Sequence, residues 1–351
     1  MKKISRKTFL KTLFYFSVAT AGLGGLTKFF NDKDGKENNL SFSDMELPYL
    51  QLHRSGALKK RGERLWDMME DCHLCPRACG ARRLSGQEGF CHASSQLEIS
   101  SYHPHFGEER PLVGRNGSGT IFMTNCSLRC VFCINWDISH EGAGVPKSIE
   151  DMAGMMIHLQ QKGCHNINFV TSTHYVPHIV KAVDIAAANG LHVPLVYNTC
   201  GWESLEVLKL LDGIIDIYLP DFKYASGDMA AMYSAGAKTY PQVTKQSLLE
   251  MHRQVGVARP DADGIMRRGL MIRHLVMPNN VSGTQEVVTW IAQNLPKDTY
   301  LNLMSQYTPV YRAKEFPKIE RRITRKEYMD AIAWARTAGL TNLEIQGGSG
   351  L

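Results

Sequence analysis

Six times between residues 115 and 340, a short apolar segment gives way to an amphipathic one. The apolar runs lie at 120–124, 166–170, 195–198, 214–219, 270–276 and 300–305. Segments 148–163, 176–189, 203–211, 247–255, 284–294 and 325–338 carry apolar residues at helical spacing. Strands this short and apolar are covered on both faces, which is the condition of a parallel sheet sheathed by helices. The expected class is α/β, in the form of an open (β/α)6 partial barrel. Reactive groups in such folds gather at the C-terminal ends of the strands. A chain of 351 residues can hold one such domain together with an extension.

Nine cysteines fall into two groups and two singles. Cys72, Cys75, Cys79 and Cys91 form a C-x2-C-x3-C-x11-C group, Cys126, Cys130 and Cys133 a C-x3-C-x2-C group, and Cys164 and Cys200 stand alone. A chain with a large core of its own has little need of a disulfide framework. Thiols two or three residues apart converge instead on a metal or cluster. Three thiolates can hold three irons of a cube and leave the fourth iron open. A structural zinc site would need a fourth ligand, which His140 can supply. In the first group, Pro76 and Gly80 favour tight turns, and Arg77, Arg82 and Arg83 can donate to sulfur or offset thiolate charge. Zinc and an auxiliary iron–sulfur cluster are both chemically reasonable there, as is a knuckle of reduced thiols.

The run Cys126-Ser127-Leu128-Arg129-Cys130-Val131-Phe132-Cys133 resembles the signature of radical S-adenosylmethionine (radical SAM) enzymes, with an aromatic before the third cysteine, and the likeness extends over the longer run Gly119–Ser139. It is similar to the group related to pyruvate formate-lyase activating enzyme. The segment from Cys72 to Cys91 resembles the start of that group's iron–sulfur branch, and the likeness runs to about residue 330. It implies a TIM-like partial barrel of radical SAM type behind an N-terminal cysteine-rich extension. It also implies a [4Fe-4S] cluster on Cys126, Cys130 and Cys133, with Phe132 beside it and S-adenosylmethionine as cosubstrate. Reductive cleavage of the cosubstrate would give a radical that removes hydrogen from a C–H bond. The favoured substrate is a protein glycine, with radical modification of a peptide or small molecule as the alternative. A different class, a non-catalytic electron-transfer protein, would share the metal centres. A protein substrate should leave a broad groove at the barrel mouth, whereas segments 85–115 and 305–320 should close over a small one.

The strand ends supply the other candidates. Thr171, Ser172 and His174 stand where many radical SAM enzymes carry a Gly-Gly-Glu-like turn that meets the cosubstrate's amino group. Asn198 and Thr199 end the third strand and can bind its methionyl or ribose part. Asp221 and Lys223 resemble a D-x-K segment of glycyl-radical activating enzymes. Arg273, inside an apolar strand, needs an anionic partner, either a cosubstrate carboxylate or an internal acid. Asn302, Gln306 and Tyr307 are further candidates, and His103 and His105 with Glu108 and Glu109 suit a metal or the rim of the site.

The remainder bounds partners and location. The net charge of +6, from 40 basic and 34 acidic side chains, is modest, and no basic repeat with interleaved aromatics points to nucleic acid. An electron donor such as flavodoxin or ferredoxin is implied by the resemblance. Residues 1–30 join a basic stretch to an apolar run too short to span a bilayer, which reads as an export signal or a membrane-surface anchor. Ser5-Arg6-Lys7-Thr8-Phe9-Leu10-Lys11 resembles a twin-arginine signal with Lys7 in place of the second arginine. A reducing cluster favours a cytoplasmic or inner-membrane-associated protein, with export as the alternative. Residues 31–45 read as a polar linker, 46–114 as the extension, 115–340 as the core barrel and 341–351 as a tail.

Overall fold

Seven parallel strands form the centre of the protein, and their shared direction places all their C-terminal ends on one side. The computed structural model describes residues 46–346. The strands are β1 (Leu97–His105), β2 (Ser118–Met123), β3 (Val145–Lys147), β4 (Ile167–Val170), β5 (Leu195–Thr199), β6 (Ile217–Pro220), β7 (Arg259–Pro260), β8 (Met266–Leu275), β9 (Tyr300–Met304) and β10 (Leu343–Ile345). They hydrogen-bond in the order β10-β9-β8-β6-β5-β4-β2-β1-β3, with β7 beside β8. Pairing from β2 through β10 is parallel, while β1 and β3 add antiparallel strands at one edge. The sheet is not closed, and the architecture is α/β and consistent with a partial TIM-like barrel.

All six expected strands are present, although the fourth begins at Ile217 and not at 214. Helices at Ile149–Gln161, Val176–Ala188, Leu205–Leu210, Tyr240–Val255, Thr284–Asn294 and Arg325–Thr337 fill the expected places. Two carry reciprocal N-terminal caps, Ser148 with Asp151 and Thr324 with Glu327, which satisfy amides the helix leaves open. The helix expected from 247 starts seven residues earlier, at Tyr240, with Pro241 in its first turn. Strand β1 was not expected, because its Tyr102, His103 and Pro104 break the apolar pattern. It tolerates Pro104 because β3 pairs only with Leu97, Glu98 and Ile99, which leaves the rest of that edge free.

The extension packs onto the barrel wall. Helices Pro48–Arg54 and Ala57–Asp67 lie against Val176–Ala188, with Gly62 giving the close approach to Val180 and Lys181. Tyr49 donates to the Val193 carbonyl at 3.1 Å, and His53 meets Asp184 at 2.7 Å. None of the described helices is long and apolar enough to cross a membrane. The expectations for residues 1–45, and for the tail beyond residue 346, lie outside the described residues.

One side chain shows how the outer layer is tied to the strand ends. His274, on β8, points away from Arg273 and is fully buried. Its Nδ1 lies 2.6 Å from the Phe222 carbonyl, and its Nε2 lies 2.9 Å from the Thr284 hydroxyl. A carbonyl only accepts, so Nδ1 carries the proton and Nε2 accepts from Thr284. Burial pulls the His274 pKa down to about 4, against help from the Phe222 carbonyl. An unfolded histidine titrates near 6.5, so the stability tied to this neutral ring is complete above that pH and lost as pH falls toward 4. Urea unfolding should show about 2–3 kcal/mol of this loss between pH 7 and pH 4.5. The variant His274→Gln should lack that component, which the difference between the two proteins' pH slopes would measure.

Candidate active site

The loop that leaves β2 folds back on itself through two left-handed residues, Asn125 (φ 67) and Arg129 (φ 51). This brings Cys126, Cys130 and Cys133 to the C-terminal mouth of the barrel, all as free thiols. Each sulfur accepts a hydrogen bond. The Leu128 amide lies 3.4 Å from Cys126 Sγ, the Ser234 hydroxyl 3.1 Å from Cys130 Sγ, and the Ser139 hydroxyl 3.1 Å from Cys133 Sγ. Burial pushes the Cys130 thiol up to about 12, opposed first by the Lys223 ammonium. A thiolate at this depth therefore needs more positive charge than the protein supplies. Three donors aimed at three sulfurs, with a lysine beside them, fit the ligand set of an iron–sulfur cluster. Phe132 is buried against Tyr224 and Tyr307. His140 turns its Nε2 to the Cys130 carbonyl at 3.0 Å, so it is not a fourth ligand. Among the described residues, no group of three or more His, Cys, Asp or Glu side chains is placed to hold a single metal ion.

Next to this loop, charged groups from β6 and β8 pair in sequence, with Asn198 of β5 beside them. Lys223 Nζ lies 2.6 Å from Asp221 Oδ2, and Asp221 Oδ1 accepts from Arg273 Nε at 2.8 Å. A second guanidinium nitrogen of Arg273 donates to Asn198 Oδ1 at 2.6 Å, and a third lies 3.7 Å from Glu108. Burial alone would raise the Asp221 pKa, but Arg273 and Lys223 hold it below the usual carboxylate value. Arg273 is thus the internal ion-pair partner of Asp221. Burial pushes Glu108 up to about 7, against Arg273. Inside the barrel, Asn302 donates to Glu109 at 3.0 Å. Glu109 Oε2, both polar atoms of Asn168 and Asn302 Oδ1 are buried without partners.

The turn after β4 is tied to its neighbours by hydrogen bonds. Thr171 takes φ 63, a strained conformation for a β-branched residue. Ser172 donates to the Asn198 carbonyl at 3.3 Å. His174 is buried and gives its Nε2–H to the Thr124 carbonyl at 2.8 Å, two residues ahead of Cys126. Burial pulls its pKa down to about 3, so the ring is neutral and acts as a bolt between the β4 turn and the cysteine loop. Thr199 is also turned inward, toward Glu203. Glu203, which the sequence reading missed, is fully buried and accepts from Thr173, Thr199 and Tyr197. Burial raises it to about 7 against these three hydroxyls. Its only sequence signal was an acid two residues beyond a Cys-Gly turn. Ser139 and Ser234 were missed as well, because a lone serine carries no pattern.

The other candidates scatter. Tyr307 is buried and bonded to the Ile319 carbonyl, and Gln306 is exposed on the rim. His103 and His105 sit edge-on, 5.6 Å apart, each against Phe122. Cys72, Cys75, Cys79 and Cys91 lie on the flank of the cysteine loop, linked to it by Arg77, whose Nε donates to the Ser127 carbonyl at 2.6 Å. Removing the central acid of the charge sequence tests how much the site depends on it. Asp221→Ala leaves two buried cations without their shared partner and should cost about 3–5 kcal/mol in urea unfolding, with Asp221→Asn costing less.

Comparison with known proteins agrees with this geometry. The sequence model of the Radical SAM superfamily matches residues 120–245, from β2 into the helix Tyr240–Val255. An uncharacterised protein of Methanocaldococcus jannaschii is 30% identical over 311 residues, 86% of this chain and 84% of that relative. A second uncharacterised protein of the same organism is 23% identical over 277 residues, 73% of this chain and 75% of its own length. With a cysteine loop of this form at the mouth of an open parallel barrel, the chain belongs to the radical SAM superfamily.

Proposed function

We propose that this protein is an enzyme that removes a hydrogen atom from a C–H bond enclosed near the barrel mouth. The observation that carries the reading is the cysteine loop itself, with three sulfurs that each accept a hydrogen bond beside Lys223. When bound there, a [4Fe-4S] cluster with S-adenosylmethionine supplies reductive cleavage of the sulfonium and hence an organic radical. On this reading residues 115–340 form the catalytic core and 46–114 the extension. The chain's own part is to hold the ligands, exclude water and orient the substrate. Cys126, Cys130 and Cys133 are the ligands, and Phe132 seals their loop against Tyr224 and Tyr307. His174 fixes the loop to the β4 turn, and Lys223 offsets thiolate charge. A one-electron donor of the flavodoxin or ferredoxin kind is the expected partner, and the Cys72–Cys91 group is read as a second thiolate centre, zinc or iron–sulfur.

The favoured substrate is a backbone glycine of a protein, supported by the likeness of Asp221-Phe222-Lys223 to glycyl-radical activating enzymes. A small-molecule substrate is the second reading, and two observations favour it. Residues 307–312 lie over the cysteine loop, with Tyr307 against Phe132, Tyr311 stacked on Trp136, and the Arg312 amide bonded to the Val131 carbonyl at 3.0 Å. The unpartnered atoms of Asn168, Asn302 and Glu109 suit a compact polar ligand.

Anaerobically reconstituted and reduced protein should convert S-adenosylmethionine to 5′-deoxyadenosine and methionine, and the Cys126→Ala, Cys130→Ala, Cys133→Ala variant should form neither. No product from the parent with a fully loaded, reducible cluster would overturn the reading. Extract from cells grown in fully deuterated medium, divided into protein and small-molecule fractions, separates the two substrates. Deuterium entering 5′-deoxyadenosine from the protein fraction supports the first reading, and from the small-molecule fraction the second.

A further inference from the structure

The four cysteines of the extension, like the three at the barrel mouth, sit among residues with left-handed backbone. In the mouth loop Cys126 Sγ accepts from the amide two residues on, that of Leu128, at 3.4 Å. The extension has tight turns of its own, closed by the Ala78 amide on the Cys75 carbonyl at 2.9 Å, the Gly80 amide on the Cys72 carbonyl at 3.1 Å and the His92 amide on the Gly89 carbonyl at 2.9 Å. Left-handed residues shape these turns, Ala78 at φ 40, Gly80 at φ 68 and His92 at φ 67. The sulfurs converge. A methyl group placed on Gly89 would lie 3.4 Å from both Cys79 Sγ and Cys91 Sγ, and Arg83 reaches Cys72 Sγ at 3.9 Å.

A buried cation sits against this group. Arg83 is fully buried, and among the described residues no carboxylate pairs with it. It donates to the Ser94 carbonyl at 3.1 and 2.7 Å and to the His174 carbonyl at 2.8 Å, and one nitrogen lies 3.9 Å from Cys72 Sγ. A guanidinium taken out of water needs a compensating negative charge. Four neutral thiols do not supply it, whereas a four-thiolate metal centre, which is anionic overall, does. Among the described residues, neither cysteine group is placed to hold a single metal ion.

The group also has a direction. Cys79 is exposed, and Cys72 and Cys91 are buried. On its inner side, Arg77 reaches from beside Cys75 to the Ser127 carbonyl at 2.6 Å, next to Cys126. Its other arm lies 3.4 Å from the carbonyl of Ser234, the residue whose hydroxyl bonds Cys130 Sγ. We propose that Cys72, Cys75, Cys79 and Cys91 hold a second iron–sulfur cluster, and that this cluster is the electron entry for the centre at Cys126, Cys130 and Cys133. One electron from a reduced one-electron carrier arrives at the Cys79 edge and reduces the outer cluster. The electron then passes across the Arg77 contact to the inner centre, and the outer cluster returns to its oxidised state. No proton moves and no bond forms or breaks. The second half of this proposal rests on the radical SAM reading, and the first does not.

The test uses the full chain, purified and reconstituted without oxygen. The Cys126→Ala, Cys130→Ala, Cys133→Ala variant should retain about four iron and four acid-labile sulfide per chain, and no zinc. Stoichiometric zinc, or neither metal, would overturn the second cluster. Should that variant fold poorly, Cys75→Ser with Cys79→Ser gives the reciprocal measurement. It should lose about half of the parent's iron while keeping an electron paramagnetic resonance signal that shifts with S-adenosylmethionine. Unchanged iron would overturn the proposal. For the entry role, reduction of the inner centre by photoreduced flavodoxin is followed by stopped flow. The double variant should be slower by at least an order of magnitude, with dithionite reduction unaltered. Equal rates with flavodoxin would overturn the entry role and leave the second cluster standing. Formation of 5′-deoxyadenosine by the dithionite-reduced parent reports separately on the radical SAM reading.

Discussion

The pairing of Asp221 with Arg273 and Lys223 is the contact on which the mouth of the barrel depends. It draws charged side chains from the ends of β6 and β8 into one buried sequence and adds Asn198 from β5. Parallel strands cannot fix each other's ends through tight hairpins, because their connections run through helices. Side-chain pairing at the strand ends therefore sets how the loops stand relative to one another. Lys223 then faces the cysteine loop, where its charge is the largest influence opposing burial at Cys130. A single ionic sequence thus joins sheet geometry to the electrostatics of the sulfurs.

Buried groups behind the mouth hold the loops from the other side. His174 ties the β4 turn to Thr124, and Arg83 holds the carbonyl of the same histidine. Arg77 ties the extension to Ser127. Glu203 gathers hydroxyls from the β4 turn and β5. Each of these groups is expensive to bury and has partners on separate segments, so loss of one leaves another buried polar group unpaired. The extension is therefore part of the site's construction as well as a cover on the barrel wall.

Much of this was legible in the residues. The three-cysteine spacing marked the loop, and the apolar alternation marked all six strands, because both signals are local. Arg273 was legible as a cation in need of an acid, and Asp221 and Lys223 as a pair, but not that the three would join. His174 carried the same sequence signal whether it faced a ligand or a carbonyl, and burial placed it against Thr124. Strand β1 escaped because edge strands bury only part of their surface and so need no clean alternation. Glu203, Ser139 and Ser234 escaped because their partners lie on other segments or carry no motif.

By itself, the sequence determined the class of the fold, the cysteine loop and the strand ends that would surround it. Hydrophobic period and ligand spacing are properties of neighbouring residues, and they persist whatever the rest of the chain does. Only the tertiary structure decided which acid Arg273 would meet, where His174 would turn, and that Arg77 would span the two cysteine groups. Those outcomes depend on contacts between segments far apart in sequence, selected by the cost of leaving a buried charge or polar atom alone.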